Sequence, residues 1–159
     1  MKKIIIILIF VTSLTQAQQI TSLKNTSELD EILNSNKGKV LLFNFWATWC
    51  KPCVEEFPDL IKLYNNYKDK NFKIILISID FKEDIYTKLI PFLKQNNVYF
   101  ETYFDDFIKQ EDLIDYFDKN WEGGIPSTYI FNKNGIEESK FLGNKDYAFF
   151  EKEIKKYIE

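Results

Sequence analysis

The chain contains two cysteines, Cys50 and Cys53, separated by two residues. If the segment from Cys50 onward is helical, side chains three residues apart are neighbours on one helix face. Their Cα atoms are then close enough to form a disulfide without rearrangement of the backbone. The pair can therefore alternate between dithiol and disulfide within one fold, which predicts a redox site.

The two sulfurs are predicted to differ in reactivity. At a helix start, unpaired backbone N–H groups and the helix dipole favour a negative charge, and Lys51 adds a cation beside Cys50. Both effects lower the pKa of Cys50 and populate the thiolate that attacks disulfides. Cys53, one turn further in and more buried, is the resolving thiol. Pro52 has a fixed φ and no N–H, so it suits the first helical turn and stiffens the active-site ring.

The cysteine pair has two simpler interpretations. A structural zinc site requires four ligands, and the chain has neither a histidine nor a third cysteine, so no metal site is expected. A purely structural disulfide would close a very short loop and stabilise little. It stays open as an alternative, because spacing alone does not prove reactivity.

The sequence Trp-Ala-Thr-Trp-Cys-Lys-Pro-Cys at residues 46–53 follows an apolar strand. It resembles the active site of the thioredoxin superfamily, and more narrowly that of the extracytoplasmic TlpA/ResA type, with residues 40–143 carrying the match. The resemblance implies an α/β, thioredoxin-like fold, with a mixed central β-sheet flanked by helices on both faces and a central helix–strand insertion. It implies neither an organic cofactor nor a metal.

Glu56 is a candidate for moving protons at this site. It lies one helical turn after Cys53 and leans toward the apolar stripe of its helix. A partly buried carboxylate there would have a raised pKa and could relay protons during exchange. ResA-like proteins have a functional glutamate at this offset, and the alternative is an ordinary surface glutamate. Asn44 is the single polar residue of the preceding strand, where thioredoxins commonly carry an aspartate.

Ile125 and Pro126 precede another apolar strand, where a proline is tolerated at an edge or a strand start. The resemblance implies more, because thioredoxin-fold enzymes place a cis-proline opposite the two cysteines. The backbone of Ile125 could then pair with an extended substrate segment. Trp49 and Trp121 either add apolar surface around this groove or pack in the core.

Apolar periodicity and turn residues predict the remaining elements. Helices are expected at 27–34 (capped by Ser27, with Asp30 three residues on), from Cys50 onward, and at 84–96, 110–120 and 145–159; strands are expected at 40–46, 73–80 and 98–104, with a hairpin at 127–131 and 136–142.

Residues 1–17 have the pattern of a secretory signal peptide, with two lysines, an apolar run and a small residue at the end. The apolar run is shorter than the roughly 20 residues needed to span a bilayer, although an uncleaved anchor stays open. Residues 18–159 are predicted to form one domain, placed outside the cytoplasm, in the periplasm or secreted. The formal charge of −3, without a basic patch, argues against nucleic acid as a partner.

The sequence therefore predicts a thiol–disulfide oxidoreductase of the cell envelope acting on cysteines of exported proteins. The resemblance implies reduction, for example in cytochrome c maturation, with a membrane dithiol reductase as the electron donor. Alternatives are a disulfide-forming oxidase of the same fold and a non-catalytic thioredoxin-like binding module. A peroxidase is a further alternative, because Thr48 lies two residues before Cys50, although the surrounding motif does not match that of a peroxidase.

Overall fold

A computed structural model describes residues 19–158, so the predicted signal peptide at 1–17 lies outside the described residues. Within these described residues, six strands and five α-helices follow one another. They are β1 Ile20–Leu23, α1 Thr26–Ser35, β2 Val40–Trp46, α2 Lys51–Tyr67, β3 Phe72–Ser78, α3 Ile90–Gln95, β4 Thr102–Asp105, α4 Gln110–Phe117, β5 Ser127–Phe131, β6 Glu137–Leu142 and α5 Tyr147–Ile158.

The strands form one mixed sheet in the order β1-β4-β3-β2-β5-β6. The first four run parallel, whereas β5 is antiparallel to β2 and β6 is antiparallel to β5. β2 is central, and all seven of its residues are buried. This burial explains the nearly continuous apolar run at this point of the sequence.

Helices cover both faces of the sheet. Successive side chains of a strand point to opposite faces, so the apolar residues of a buried strand contribute to a core on each face. In β2, Leu42 and Trp46 belong to the core that α2 and α5 cover. Leu41, Phe43 and Phe45 belong to a second core, under α1 and α4. Asn44 alternates with Phe43 and Phe45, so it faces α2. The thioredoxin-like α/β fold predicted from the sequence is confirmed.

The predicted cap of the first helix is wrong. α1 begins one residue earlier than predicted, and its cap is Asn25, whose side chain accepts a hydrogen bond from the backbone N–H of Glu28. The Glu28 carboxylate in turn accepts one from the backbone N–H of Lys24. Asn25 and Glu28 have the same spacing as Ser27 and Asp30, and asparagine is as good a cap as serine.

The predicted helix at 84–96 is replaced by three shorter pieces. A 3₁₀ turn at Lys82–Asp84 and a π-helical turn at Ile85–Leu89 precede α3. Pro91 stands in the first turn of α3 and lacks the N–H that a continuous α-helix would use. In the wider π turn, the N–H of Ile90 instead donates a hydrogen bond to the carbonyl of Ile85, five residues earlier.

β1 was not predicted from the sequence, and the predicted start of β4 is too early. β4 begins at Thr102 instead of 98, where it pairs with β1 over four residues and with β3 over two. Val98 is fully buried but lies outside the sheet. The other predicted elements lie within three residues of their expected bounds.

Candidate functional site

The two cysteines form a disulfide at the start of α2, with sulfurs 2.08 Å apart and Cα atoms 5.3 Å apart. Cys50 is the N-cap residue of the helix, and the backbone N–H of Cys53 points to its sulfur at 3.3 Å. Cys50 is 6% exposed and Cys53 is 1% exposed. The structure thus places Cys50 at the helix start and buries Cys53 more deeply, as predicted.

The surroundings of Cys50 favour its thiolate once the disulfide is reduced. The backbone N–H of Cys53, in the first turn of α2, is directed toward its sulfur, and Pro52 stands in that turn as predicted. Lys51 is strongly exposed, and its ammonium lies 3.8 Å from the carboxylate of Glu55. The N-terminus of α2 contributes positive potential at Cys50, whereas the lysine charge is partly offset by Glu55.

A cis peptide bond joins Ile125 to Pro126, as predicted. The carbonyl oxygen of Ile125 lies 3.8 Å from the sulfur of Cys50. Ile125 precedes β5, which begins at Ser127, so its backbone is not part of the strand ladder. The carbonyl of Pro126 accepts a hydrogen bond from the N–H of Gly143, which fixes this loop to the end of β6.

Glu56 is buried one turn after Cys53, with only 2% of its surface exposed. Its two carboxylate oxygens accept hydrogen bonds from the side-chain amide of Asn44 and the backbone N–H of Lys145, each at 2.8 Å. Burial raises the pKa of Glu56 from 4.5 to about 7, although both hydrogen bonds and the Lys145 charge lower it. The structure buries Glu56 as predicted, and this burial is the cause of the upward shift of its pKa.

Asn44 links Glu56 to the strand that follows the cis-proline. Its amide donates to Glu56 and, at 3.0 Å, to the hydroxyl of Thr128 in β5. Its carbonyl oxygen is buried and has no hydrogen-bond partner among residues 19–158. The carboxylate, the disulfide-bearing helix and the cis-proline strand are therefore connected by one buried polar chain.

The structure separates the two candidate tryptophans. Trp49 is 51% exposed, and its ring stacks against Phe81. Trp121 is half-buried and packs against Phe45 and Tyr129, while its indole N–H donates to the carbonyl of Gly124 at 2.9 Å. Trp121 thus braces the loop before the cis-proline, whereas Trp49 contributes exposed surface beside Cys50.

Asp80 is a site residue that the sequence analysis missed. Its buried carboxylate accepts hydrogen bonds from the backbone N–H and the hydroxyl of Thr48 and, at 2.7 Å, from the hydroxyl of Ser78. These contacts fix the segment between β2 and Cys50. A signal was present, because polar residues at the carboxyl end of a parallel strand often lie at the site edge of the sheet.

Residues 19–158 contain neither a metal-ligand cluster nor a membrane-spanning helix. No group of three or more acidic or cysteine side chains there has an arrangement that could hold a metal ion. None of the helices in that range has the length and apolar character needed to cross a bilayer.

Comparisons with known proteins agree with this geometry. The model of the AhpC/TSA family matches residues 14–138. Thiol-disulfide oxidoreductase ResA of Bacillus cereus is 34% identical over 113 residues, covering 71% of this chain and 60% of the relative. Thioredoxin-like protein YneN of Bacillus subtilis is 34% identical over 125 residues, covering 77% of this chain and 67% of that relative. The chain therefore spans less than two thirds of the ResA protein it matches.

Solved structures support the fold independently. A thiol:disulfide interchange protein from Bacteroides sp. is 30% identical and has a TM-score of 0.58, covering 77% of this chain and 78% of that chain. A thiol:disulfide interchange protein of the thioredoxin family from Chlorobium tepidum TLS has a TM-score of 0.66 at 24% identity, covering 79% of this chain and 84% of that chain. The second likeness concerns the fold alone.

Proposed function

This chain belongs to the AhpC/TSA family, and on that premise we propose that it is a thiol–disulfide oxidoreductase acting on cysteines of exported proteins. One observation carries the proposal. The disulfide at the start of α2 lies 3.8 Å from the Ile125 carbonyl, at a backbone segment outside the strand ladder. An extended partner segment can pair with that backbone and so bring its own sulfur to Cys50.

The proposed reaction transfers two electrons from the reduced protein to a partner disulfide. The Cys50 thiolate attacks one partner sulfur, which forms a mixed disulfide and releases the other partner sulfur as a thiolate. Cys53 then attacks the sulfur of Cys50, so the mixed disulfide breaks and the second partner thiol leaves. Another dithiol protein, in our proposal a membrane reductase, restores the dithiol.

Glu56 is proposed to take up the proton of Cys53 as that thiol becomes the nucleophile. A carboxylate with a pKa of about 7 exchanges protons readily near neutral pH. It lies on the same helix face as Cys53, one turn away. In the reverse, oxidising reaction the same carboxyl would return the proton to Cys53, so the physiological direction is set by the reduction potential of the couple.

Trapping tests the assignment of the two cysteines. In Cys53→Ser, the mixed disulfide formed by Cys50 cannot be resolved, so a partner should stay attached to Cys50 and be identified by mass spectrometry. The matched control is Cys50→Ser, which leaves the more buried sulfur and should trap little. Equal trapping by the two variants, or none by either, would contradict the proposed roles.

The direction of electron flow needs its own measurement. Equilibration of the protein with glutathione buffers gives the reduction potential of the Cys50–Cys53 couple. A reductant should have a potential near that of thioredoxin, at about −270 mV, whereas a strong oxidant of this fold lies near −120 mV. A value close to the second figure would favour the disulfide-forming alternative.

The other two alternatives make distinct predictions. A peroxidase that used Thr48 would need its hydroxyl at Cys50, but this hydroxyl donates to Asp80, and peroxide consumption tests the point directly. A non-catalytic binding module predicts full biological activity when both cysteines are replaced by serine. Loss of activity in that double variant would exclude it.

We also propose that residues 1–17 are a cleaved signal peptide and that residues 18–159 are the mature domain. The basic start, apolar run and small residue at position 17 support this proposal. The intact mass of the protein from its native host tests it. A mass that begins at Gln18 is expected, and a mass that retains the first 17 residues would indicate an anchor.

A further inference from the structure

Two large aromatic side chains are exposed together beside the disulfide. Trp49 is 51% exposed and Phe81 is 66% exposed, and their rings stack with centroids 6.4 Å apart and planes at 27°. Single exposed apolar residues are common on protein surfaces, but a stacked pair next to a reactive sulfur marks a contact surface. Phe81 has no role in the chemistry proposed above.

The buried carboxylate of Asp80 holds the two rings in place. It is 4% exposed and accepts hydrogen bonds from the backbone N–H of Thr48 at 3.0 Å and from the Thr48 hydroxyl. Thr48 immediately precedes Trp49, and Asp80 immediately precedes Phe81. These bonds therefore tie the loop after β2 to the end of β3, and with it the backbone from which both rings extend.

The sheet order places this aromatic pair and the Ile125 backbone on opposite sides of Cys50. β2, which leads to Cys50, lies between β3, which leads to Phe81, and β5, which follows Ile125. A partner segment that pairs with Ile125 and presents its sulfur to Cys50 continues toward the rings. Neighbouring residues of an extended chain are about 3.3 Å apart along the strand, so residues next to the partner cysteine reach them.

The lysines next to the rings do not add an unpaired positive charge to this surface. The two lysines that follow the rings in sequence are each beside a carboxylate, Lys51 at 3.8 Å from Glu55 and Lys82 at 3.0 Å from Asp106. The surface therefore offers two exposed rings, and the charges of both neighbouring lysines are offset by carboxylates. Aromatic pairs contribute favourably beyond the area that they bury.

We propose that Trp49 and Phe81 form an aromatic docking surface for a large apolar side chain adjacent to the reacting cysteine of the partner polypeptide, and that Asp80 is the positioning residue of this surface. The inference rests on the proposed function and deepens it. Phe81 is the residue that gives the reaction this specificity.

The experiment uses two synthetic peptides, each with one cysteine linked to thionitrobenzoate and with either phenylalanine or serine beside that cysteine. The Cys50 thiolate attacks the peptide sulfur and releases coloured thionitrobenzoate; Cys53 then attacks Cys50 and releases the peptide thiol. Stopped-flow absorbance gives the rate constant of the first step. The reduced protein should prefer the phenylalanine peptide by roughly three- to tenfold, the range expected for one aromatic pair.

Variants assign this preference to the docking surface. Phe81→Ser should bring the ratio of the two rate constants close to one. Asp80→Asn should lower it while thermal unfolding shows that the variant is folded. The matched control is Tyr99→Ser, which also removes a partly exposed ring, 46% exposed, but lies before β4 at the opposite end of the parallel strands. This control should keep the full preference.

The outcomes distinguish the inference from the proposed function. If the unmodified reduced protein releases no thionitrobenzoate from either peptide, the proposed function itself fails. If it reacts with both but shows no preference, or if the preference survives Phe81→Ser, the docking surface is wrong and the oxidoreductase activity stands. A full preference in folded Asp80→Asn would refute the positioning role of Asp80.

A third peptide with lysine beside the cysteine tests whether the rings bind a cation instead of an apolar side chain. It should react no faster than the serine peptide, and a faster reaction would mean that the rings bind cations instead.

Discussion

Replacement of Glu56 by glutamine should change how the stability of the protein depends on pH. The carboxylate is buried and accepts two hydrogen bonds, from Asn44 and Lys145. Glutamine keeps the size of the side chain but cannot ionise. It can accept only one of these two hydrogen bonds, because its amide nitrogen then faces the other donor. The variant therefore removes the charge at the cost of one contact.

The sign of the effect follows from the raised pKa. In the folded state the pKa of Glu56 is about 7, against 4.5 for an unperturbed glutamate. Between these values the native protein retains a proton that the unfolded chain has released, so a rise in pH destabilises the native state. At about 1.4 kcal/mol per pH unit, this pKa difference corresponds to about 3 kcal/mol, fully present above pH 7 and absent well below pH 4.5.

Urea unfolding of the oxidised protein across this pH range measures the effect. The free energy of unfolding of Glu56→Gln, minus that of the unmodified protein, should rise by about 3 kcal/mol between pH 4.5 and 7. The subtraction removes the pH dependence that comes from the other titrating groups, since both proteins share them. The matched control is Glu55→Gln, because Glu55 is the exposed neighbour in the same helix turn, and its difference should stay nearly constant. A flat difference for Glu56→Gln would refute the raised pKa and, with it, the proposed proton transfer at neutral pH.

Three further substitutions test the structure around the site, each by urea unfolding. Asn25→Ala should lower the free energy of unfolding by roughly 1 kcal/mol because α1 loses its cap; an unchanged value would mean that the cap is not formed. Asp80→Asn should cost roughly 1–3 kcal/mol, since an amide cannot accept every hydrogen bond that the buried carboxylate accepts, and a stabilised variant would contradict this. Phe57→Ala should cost roughly 3–5 kcal/mol, because its fully buried ring packs against Trp46; a loss below 1 kcal/mol would indicate a loosely packed core.

Several parts of the fold could be predicted because their signals are local. β2 is buried on both faces, so its continuous apolar run marks its bounds correctly. Asn132-Lys133-Asn134-Gly135 marks the hairpin between β5 and β6, where Gly135 has a φ of +77°. The position of Glu56 on the buried side of α2 followed from helical spacing alone.

Other parts could not be predicted because they depend on residues distant in sequence. β1 is four residues long and forms a strand because β4, about 80 residues later, offers a free edge. The cap of α1 was ambiguous because two pairs of residues have the same capping spacing, and local sequence does not decide between them.

The sequence by itself determined the chemistry: two cysteines three positions apart, a helix that begins at the first, and a carboxylate one turn beyond the second. These depend on spacing along one helix, which the backbone geometry fixes. Only the tertiary structure decided what surrounds them. The Ile125 carbonyl beside Cys50 was expected only from the family resemblance, whereas the bond from Thr48 to Asp80 and the Trp49–Phe81 stack each join the ends of different strands of the sheet. Contacts of this kind depend on strand order, which no local pattern encodes.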